Sequence, residues 1–516
     1  MPRLPNTPML RTIFEGCVAC VLLICSGFLA GCEGNSAMPT TGNGSTGSGA
    51  AYPLKVSANS RYLVDQNNQP FLLVGDAPQT IISLIPLTGT IPGGNAPTYF
   101  STRQGQGFNA IWTDVLCDKY MVPFGGGTGC NSGGHAFDGT PPFTSGTAFD
   151  SSGTIYDIST PNPAYFAEID SLVKLAAQYG FLVLLDPAET GGLAAAGGFL
   201  ETNCPSGNTT KCYNYGQYLG NRYKSFPNIV WFTGNDFQNW SSDSVANADV
   251  VAIAQGIHDA EAANGGTPHL QTAELEYNES CATDDSLLAP LITQNLAYTY
   301  SPAYDRALSC YNHAPVTPVV LGETFYESSN LCGGGHGTPF NLRHQQYWTM
   351  TSGANGYVNG NDAWITFFTA GWQNNLNTPG EVQFGAYWRT FFQAIPWYNL
   401  VPDQSHTLVT SGYGTYLTAN GSCNGAAINS NNYVTAALTS DNTTAVIYFP
   451  QAATITVNMA PFAAPVTAQW FDPSNGAYTL VSGSPFANAG TQQFSSPGSN
   501  SAGDPDWVLR LQVPSK

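Results

Sequence analysis

Charge is what this chain has least of. Asp, Glu, Lys and Arg make up 9% of its 516 residues, and 15 Lys+Arg stand against 34 Asp+Glu, a net charge of −19. A surface of that sign repels polyanions, which argues against nucleic acid or an anionic membrane surface as a partner. Other absences narrow the chemistry. No Gly-rich dinucleotide fingerprint follows the first apolar run near residue 71, and no Gly-x-Ser-x-Gly elbow occurs. The seven histidines are scattered, with no His-x-His or His-Glu-x-x-His pattern. The one Cys-x-x-Cys pair, Cys17 and Cys20, lies in the leader. A nucleotide cofactor, a serine-hydrolase triad and a zinc site are therefore not expected, and no metal or cofactor is assigned.

The leader carries Arg3 and Arg11, then an apolar run from Cys17 to Ala30, too short to span a bilayer. It ends in Leu29-Ala30-Gly31-Cys32, which resembles a bacterial lipobox. Export is expected, with lipidation at Cys32 anchoring the protein at the cell envelope, in a diderm host at the outer membrane or cell surface. The lipid would be the chain's sole membrane contact. Residues 33–51, rich in Gly, Ser, Thr and Asn, read as a flexible tether after the 1–32 signal. Eight cysteines follow: Cys117, Cys130, Cys204, Cys212, Cys281, Cys310, Cys332 and Cys423. An even count in an oxidising compartment predicts disulfides. The local pairs 117–130 and 204–212 are expected, then 281–310, with 332–423 as a tie between domains.

From residue 71 to about 395 one rhythm repeats: a helical stripe, a Gly or Pro break, then a short apolar run. Phe166, Ile169, Leu172, Val173 and Ala176 share one helical face, Gly180 stops the helix, and 181–185 is wholly apolar. Apolar runs without alternation belong to parallel strands covered on both faces. Such strands are expected near 71–75, 108–113, 181–185, 229–233, 269–273, 296–300, 318–322 and 355–359. Helical patterns include 246–263, 340–351 and 381–394. Eight βα units predict a (β/α)8 TIM barrel over residues 52–400, with 114–160 as an insertion on its loop face. After residue 400 short alternating strands and turns such as Asp472-Pro473-Ser474-Asn475-Gly476 predict an all-β sandwich over 401–516.

Barrel chemistry sits where strands run into their following loops. Those positions hold Asp76, Asp114, Asp186 with Glu189, Asp236, Glu274 with Glu276, and Glu323. Without a histidine pattern, this ring of acids reads better as an acid/base and nucleophile pair with binding partners than as a metal site. Strand four ends Thr233-Gly234-Asn235-Asp236 and strand seven ends Leu321-Gly322-Glu323. Opposed strands bring two carboxyls to either side of a sugar's anomeric carbon, so Asp236 and Glu323 are the candidate catalytic pair. The bland alternative is that each merely caps the helix after its strand. Asp76, Asp114, Asn235, Glu274 and Tyr326 are candidate substrate-binding residues, and Tyr326 is also placed to orient Glu323. Trp112, Trp240 and Trp372 are either stacking platforms or core. An uncharged chain with 26 Tyr and 10 Trp suits a carbohydrate substrate.

The segment Pro70-Phe71-Leu72-Leu73-Val74-Gly75-Asp76 resembles the opening of the apiosidase-like catalytic domain of glycoside hydrolase family 140. Gly234-Asn235-Asp236, Gly322-Glu323-Thr324 and Tyr326-Glu327 resemble its strand-four and strand-seven motifs. Trp470–Gly476 and Asp506–Leu509 are similar to a β-domain family named for collagen binding. The resemblance spans nearly all of 52–516. It implies a TIM-barrel glycosidase with Asp236 as general acid/base and Glu323 as nucleophile. Ala77-Pro78-Gln79, Thr272-Ala273-Glu274, Thr324 and Val358-Asn359-Gly360 depart from the family's pattern at positions that would line the sugar subsite. The reading is a monomeric, retaining O-glycosyl hydrolase acting on plant or microbial polysaccharide. The alternative is a non-catalytic glycan-binding surface lipoprotein using the same cleft.

Overall fold

A computed structural model of the chain describes residues 49–89, 94–117, 130, 132–277, 279–331, 334–362, 371–419, 423 and 425–514. The leader, Cys32 and the tether up to residue 48 lie outside them. None of the described helices is long and apolar enough to cross a membrane.

The apolar runs form eight short strands: β1 (Leu73–Asp76), β2 (Ala110–Asp114), β3 (Leu182–Asp186), β4 (Ile229–Thr233), β5 (Gln271–Ala273), β6 (Asn295–Tyr298), β7 (Val319–Glu323) and β8 (Gly356–Asn359). Every residue in them is buried, which is why their sequences do not alternate. They pair in parallel in the order β5-β4-β3-β2-β1-β8-β7-β6. The ends of this curled sheet meet through Gln271, whose carbonyl accepts from Thr293 N at 2.9 Å and Gln294 N at 3.2 Å. Thr293 Oγ1 accepts from Gln271 N at 2.8 Å. Above that seam, Ser280–Cys281 pairs antiparallel with β6. The fold is a TIM-like barrel with hydrogen bonds in place of a strand ladder at one seam.

Helices α1 (Ala96–Gln106), α2 (Pro163–Gln178), α3 (Thr210–Tyr223), α4 (Ser244–Ala262), α5 (Ala303–Asn312) and α6 (Pro339–Thr351) wrap it. Local signals set their ends. Asn95 caps α1 by accepting from Thr98 N at 2.9 Å, and Gly107, at φ +92°, stops it. Asn162 and Pro163 open α2 in the same way. The expected helix at 381–394 is continuous over 379–393, with a π-turn at Gln383–Trp388 between Pro379–Val382 and Arg389–Gln393.

Two antiparallel sheets follow. Six strands lie in the order β9 (Leu400–Pro402), β11 (Thr435–Thr439), β12 (Thr444–Phe449), β17 (Trp507–Gln512), β14 (Thr467–Phe471), β15 (Tyr478–Leu480). Three more are β10 (Val409–Ser411), β13 (Thr454–Asn458) and β16 (Thr491–Ser495). Ile447, Leu509 and Trp470 of the first sheet and Ile455, Val457 and Phe494 of the second share one core, the packing a sandwich requires.

Barrel and sandwich are not beads on a string. From Asn341 to Thr351, α6 is buried on every side. Tyr347 stacks on Tyr448 of β12 (5.1 Å, 15°), and His344 lies between the carbonyls of Ile428 and Pro450, 3.1 Å from each. Arg343 binds Asp504 at 2.7 Å and both oxygens of Asp506 at 2.8 Å. Residues 48–516 accordingly form one compact unit.

Disulfides join Cys117–Cys130, Cys204–Cys212 and Cys281–Cys310, as expected. Cys423 is disulfide-bonded, while its expected partner Cys332 lies outside the described residues.

Candidate active site

The site is built on the turn that leaves β4. At Gly234 the backbone turns left-handed (φ +93°), and a Cβ there would stand 2.7 Å from the carbonyl oxygen of Glu274. Glycine alone meets both demands. Two residues on, Asp236 is also left-handed, φ +52°, a conformation that costs a non-glycine residue energy and must be held by its surroundings. The holding is done by side chains. The Gly234 N–H goes to the Asp186 carboxyl at the end of β3. The Asn235 N–H goes to Thr190 Oγ1 at 2.8 Å, and the same hydroxyl donates to Asn235 O at 2.8 Å. The Asp236 N–H goes to Glu274 Oε2, past the end of β5, at 3.1 Å.

Across the barrel, Glu323 closes β7. Three phenols converge on it. Tyr300 donates to Oε1 at 2.5 Å, Tyr326 donates to Oε2, and the Tyr298 hydroxyl lies 2.9 Å from Oε1. The same Tyr298 hydroxyl is 2.6 Å from Asp236 Oδ1. The two candidate carboxyls thus meet on one hydroxyl, and Asp236 Oδ1 and Glu323 Oε1 are no farther apart than the sum of those two bonds.

Burial governs the electrostatics. It raises Glu323, helped by the Asp236 charge and opposed by three phenol donors that favour the ionised form. Asp186 is pushed up to about 8 by burial, against the N–H groups of Ala188 and Gly234. Glu274 lies well above the usual carboxylate range, through burial first and then the charges of Glu323 and Asp236. Burial likewise raises Tyr298, Tyr300 and Tyr326, which remain donors. A group of acids whose proton affinities are driven apart from their ordinary values is suited to proton transfer at neutral pH.

Of the residues singled out in the sequence, Asp236, Asn235, Glu274, Glu323 and Tyr326 come together here. Asp76 is engaged elsewhere. It is fully buried, 2.7 Å from Arg103 Nε and from the Tyr99 hydroxyl, and Arg103 also lies 3.1 Å from Glu381. Asp114 is buried at the end of β2, and its charge acts on the Tyr165 phenol of α2. Trp112 and Trp372 are core, Trp112 lying against Phe232 at 4.5 Å, while Trp240 is half-buried. Tyr298 and Tyr300 were not singled out, although alternate tyrosines at the end of a barrel strand were the available signal.

The family described as "Apiosidase-like, catalytic domain" matches residues 57–399, and that described as "Putative collagen-binding domain of a collagenase" matches 422–512. No curated protein matches the sequence significantly. Among solved structures, one titled "Glycoside hydrolase" superposes with TM-score 0.68 at 20% identity, covering 90% of this chain and 98% of that one. A glycoside hydrolase family 5 structure from Bacteroides vulgatus ATCC 8482 has TM-score 0.67 at 17% identity, covering 90% and 94%. These two share the fold. With the first family model matching well over half of its length, the chain belongs to the family of apiosidase-like catalytic domains and is a glycosidase.

Proposed function

We propose that this glycosidase, of the family-140 type, cleaves O-glycosidic bonds of a neutral plant or microbial polysaccharide with retention of configuration. The carrying observation is the pair Asp236 and Glu323, bridged by Tyr298 at 2.6 and 2.9 Å. Retaining enzymes hold their carboxyls about 5–5.5 Å apart and inverting ones about 6.5–9.5 Å, and the bridged pair falls below the second range. Asp236 protonates the leaving oxygen while Glu323 attacks the anomeric carbon and forms a glycosyl ester. Asp236, now ionised, takes a proton from the water that hydrolyses the ester. The preference for neutral sugars rests on Asp186, Asp236, Glu274 and Glu323 grouped in one buried site with no cation among them, where a uronate would be desolvated without a counter-charge.

The reading extends to the cell. Three disulfides fit an oxidising compartment, and the lipobox-like Leu29-Ala30-Gly31-Cys32 would tether the protein to the envelope through one lipid. The test is a screen of the purified protein against aryl glycosides and plant polysaccharides, with NMR of the first-formed anomer. Retained configuration, with turnover lost in Glu323→Gln and strongly lowered in Asp236→Ala, supports the reading. An inverted first product removes the retaining mechanism, and full activity in both variants removes the site.

A further inference from the structure

Three consecutive N–H groups, of Gly234, Asn235 and Asp236, each end on a side chain from outside β4. The last of these acceptors decides where Asp236 points. Glu274 is fully buried, its Oε2 takes the Asp236 N–H at 3.1 Å, and its Oε1 has no hydrogen-bond partner among the described residues. A buried carboxyl bound through one oxygen to one backbone N–H is poorly supplied with donors for an anion.

We infer that Glu274 is a positioning residue for the acid/base step, acting as an uncharged acceptor that holds the left-handed Asp236 backbone and so aims its carboxyl at the glycosidic oxygen. The inference rests on the proposed roles of Asp236 and Glu323 and adds a third residue that touches neither the leaving group nor the anomeric carbon. The groups facing Glu274 are Asp186 on β3, Asp236 after β4, Tyr298 on β6, Glu323 on β7 and Tyr326 beyond it. None is a cation. Ionised, Glu274 would add a third charge beside the pair and raise the proton affinity of both. Burial and those neighbours raise its proton affinity well above that of an ordinary carboxylate, which favours the neutral acid.

An acid that is mis-aimed slows reactions needing protonation of the leaving group and spares those that do not. The test therefore uses p-nitrophenyl and phenyl glycosides of the sugar that the wild-type protein releases, with Glu274→Ala and Glu274→Gln in the full chain. Glutamine keeps a carbonyl to accept the Asp236 N–H and mimics the neutral acid. Expected are a kcat about 100-fold lower for Glu274→Ala on the phenyl glycoside, with KM little moved, and a much smaller loss on the nitrophenyl one. Glu274→Gln should stay within about 3-fold of wild type near pH 6 and keep its activity to higher pH, having no proton to lose there. Thermal melts separate misfolding from misplacement. An equal loss on both leaving groups, no loss in a folded Glu274→Ala, or a Glu274→Gln as slow as Glu274→Ala each overturns the inference. Asp236→Ala and Glu323→Gln run alongside: if they retain full activity, the glycosidase site falls first and this role falls with it.

Discussion

Asp236 and Glu323 are joined through a single phenol, the Tyr298 hydroxyl standing 2.6 Å from Asp236 Oδ1 and 2.9 Å from Glu323 Oε1. A phenol has one hydrogen, so satisfying both contacts requires one carboxyl to bring a proton of its own. Glu323 already accepts from Tyr300 and Tyr326, which makes it the better home for the charge and Asp236 the better home for the proton. That is the distribution an acid/base and nucleophile pair needs before the first bond breaks. Tyr298→Phe removes the bridge and is expected to lower kcat about 100-fold, the usual loss for one such donor, with KM nearly constant. Steady-state rates across pH check this, and a fall confined to KM would assign the phenol to substrate binding instead.

The acid role of Asp236 has its own signature. In Asp236→Ala, formation of the glycosyl-enzyme should survive with a nitrophenyl leaving group and be lost with a phenyl one, since only the second needs a proton in the transition state. A burst of nitrophenol followed by slow turnover, seen by stopped flow, is the expected trace. Equal slowing of both leaving groups would contradict it.

Stability should fall as pH rises, opposite to the common behaviour of a paired carboxylate. Asp186 is pushed up to about 8 and Asp249 to about 7, in each case chiefly by burial. Between the ordinary carboxylate range and those values, the folded chain holds protons that the unfolded chain has released. The stabilisation is complete below about pH 4 and is lost as pH rises through 7 to 8. Asp249 on α4 lies outside the acid/base site, and neither of its oxygens has a hydrogen-bond partner among the described residues. Asp249→Asn should melt with wild type at pH 5 and above it at pH 8. A gap that narrows on raising the pH would reverse the sign argued here.

Arg103 holds two buried acids at once, Asp76 at 2.7 Å and Glu381 at 3.1 Å, with no exposed surface on any of the three side chains. Arg103→Met leaves both carboxyls buried without their cation. A loss of about 3–5 kcal/mol in urea unfolding is expected, as for other buried pairs broken from one side. Replacing Asp76 by Asn should cost less, because Glu381 keeps its partner.

The parts legible in the sequence were those written locally. Apolar runs without alternation marked the parallel strands, and Gly180 marked the end of α2, because strand burial and helix termination are decided within a few residues. Acids at strand ends led to Asp236 and Glu323 by the same logic. Contacts between distant segments were not legible. Asp76 read like any other strand-end acid, and only the packing of α1 shows Arg103 beside it. Tyr298 and Tyr300 carried no mark in the sequence, since the carboxyl they bind arrives with the next strand. Helix α6 was expected at 340–351, but not what it packs on, for a helix covered on all sides has no polar face to tell one neighbour from another. Its partners Asp504 and Asp506 lie at the far end of the chain.

That helix also limits how the protein can be taken apart. With Tyr347 against Tyr448, His344 between two carbonyls of the C-terminal part, and Arg343 closed by Asp504 and Asp506, the sandwich supplies one wall of the helix's burial. It is no detachable cassette. A barrel cut off near residue 400 would present a wet, unpaired guanidinium and a strip of bare rings, and a foreign module grafted in its place would inherit that gap. Whatever else the sandwich does, it completes the barrel, so evolution can reshape its outer loops far more freely than it can discard it.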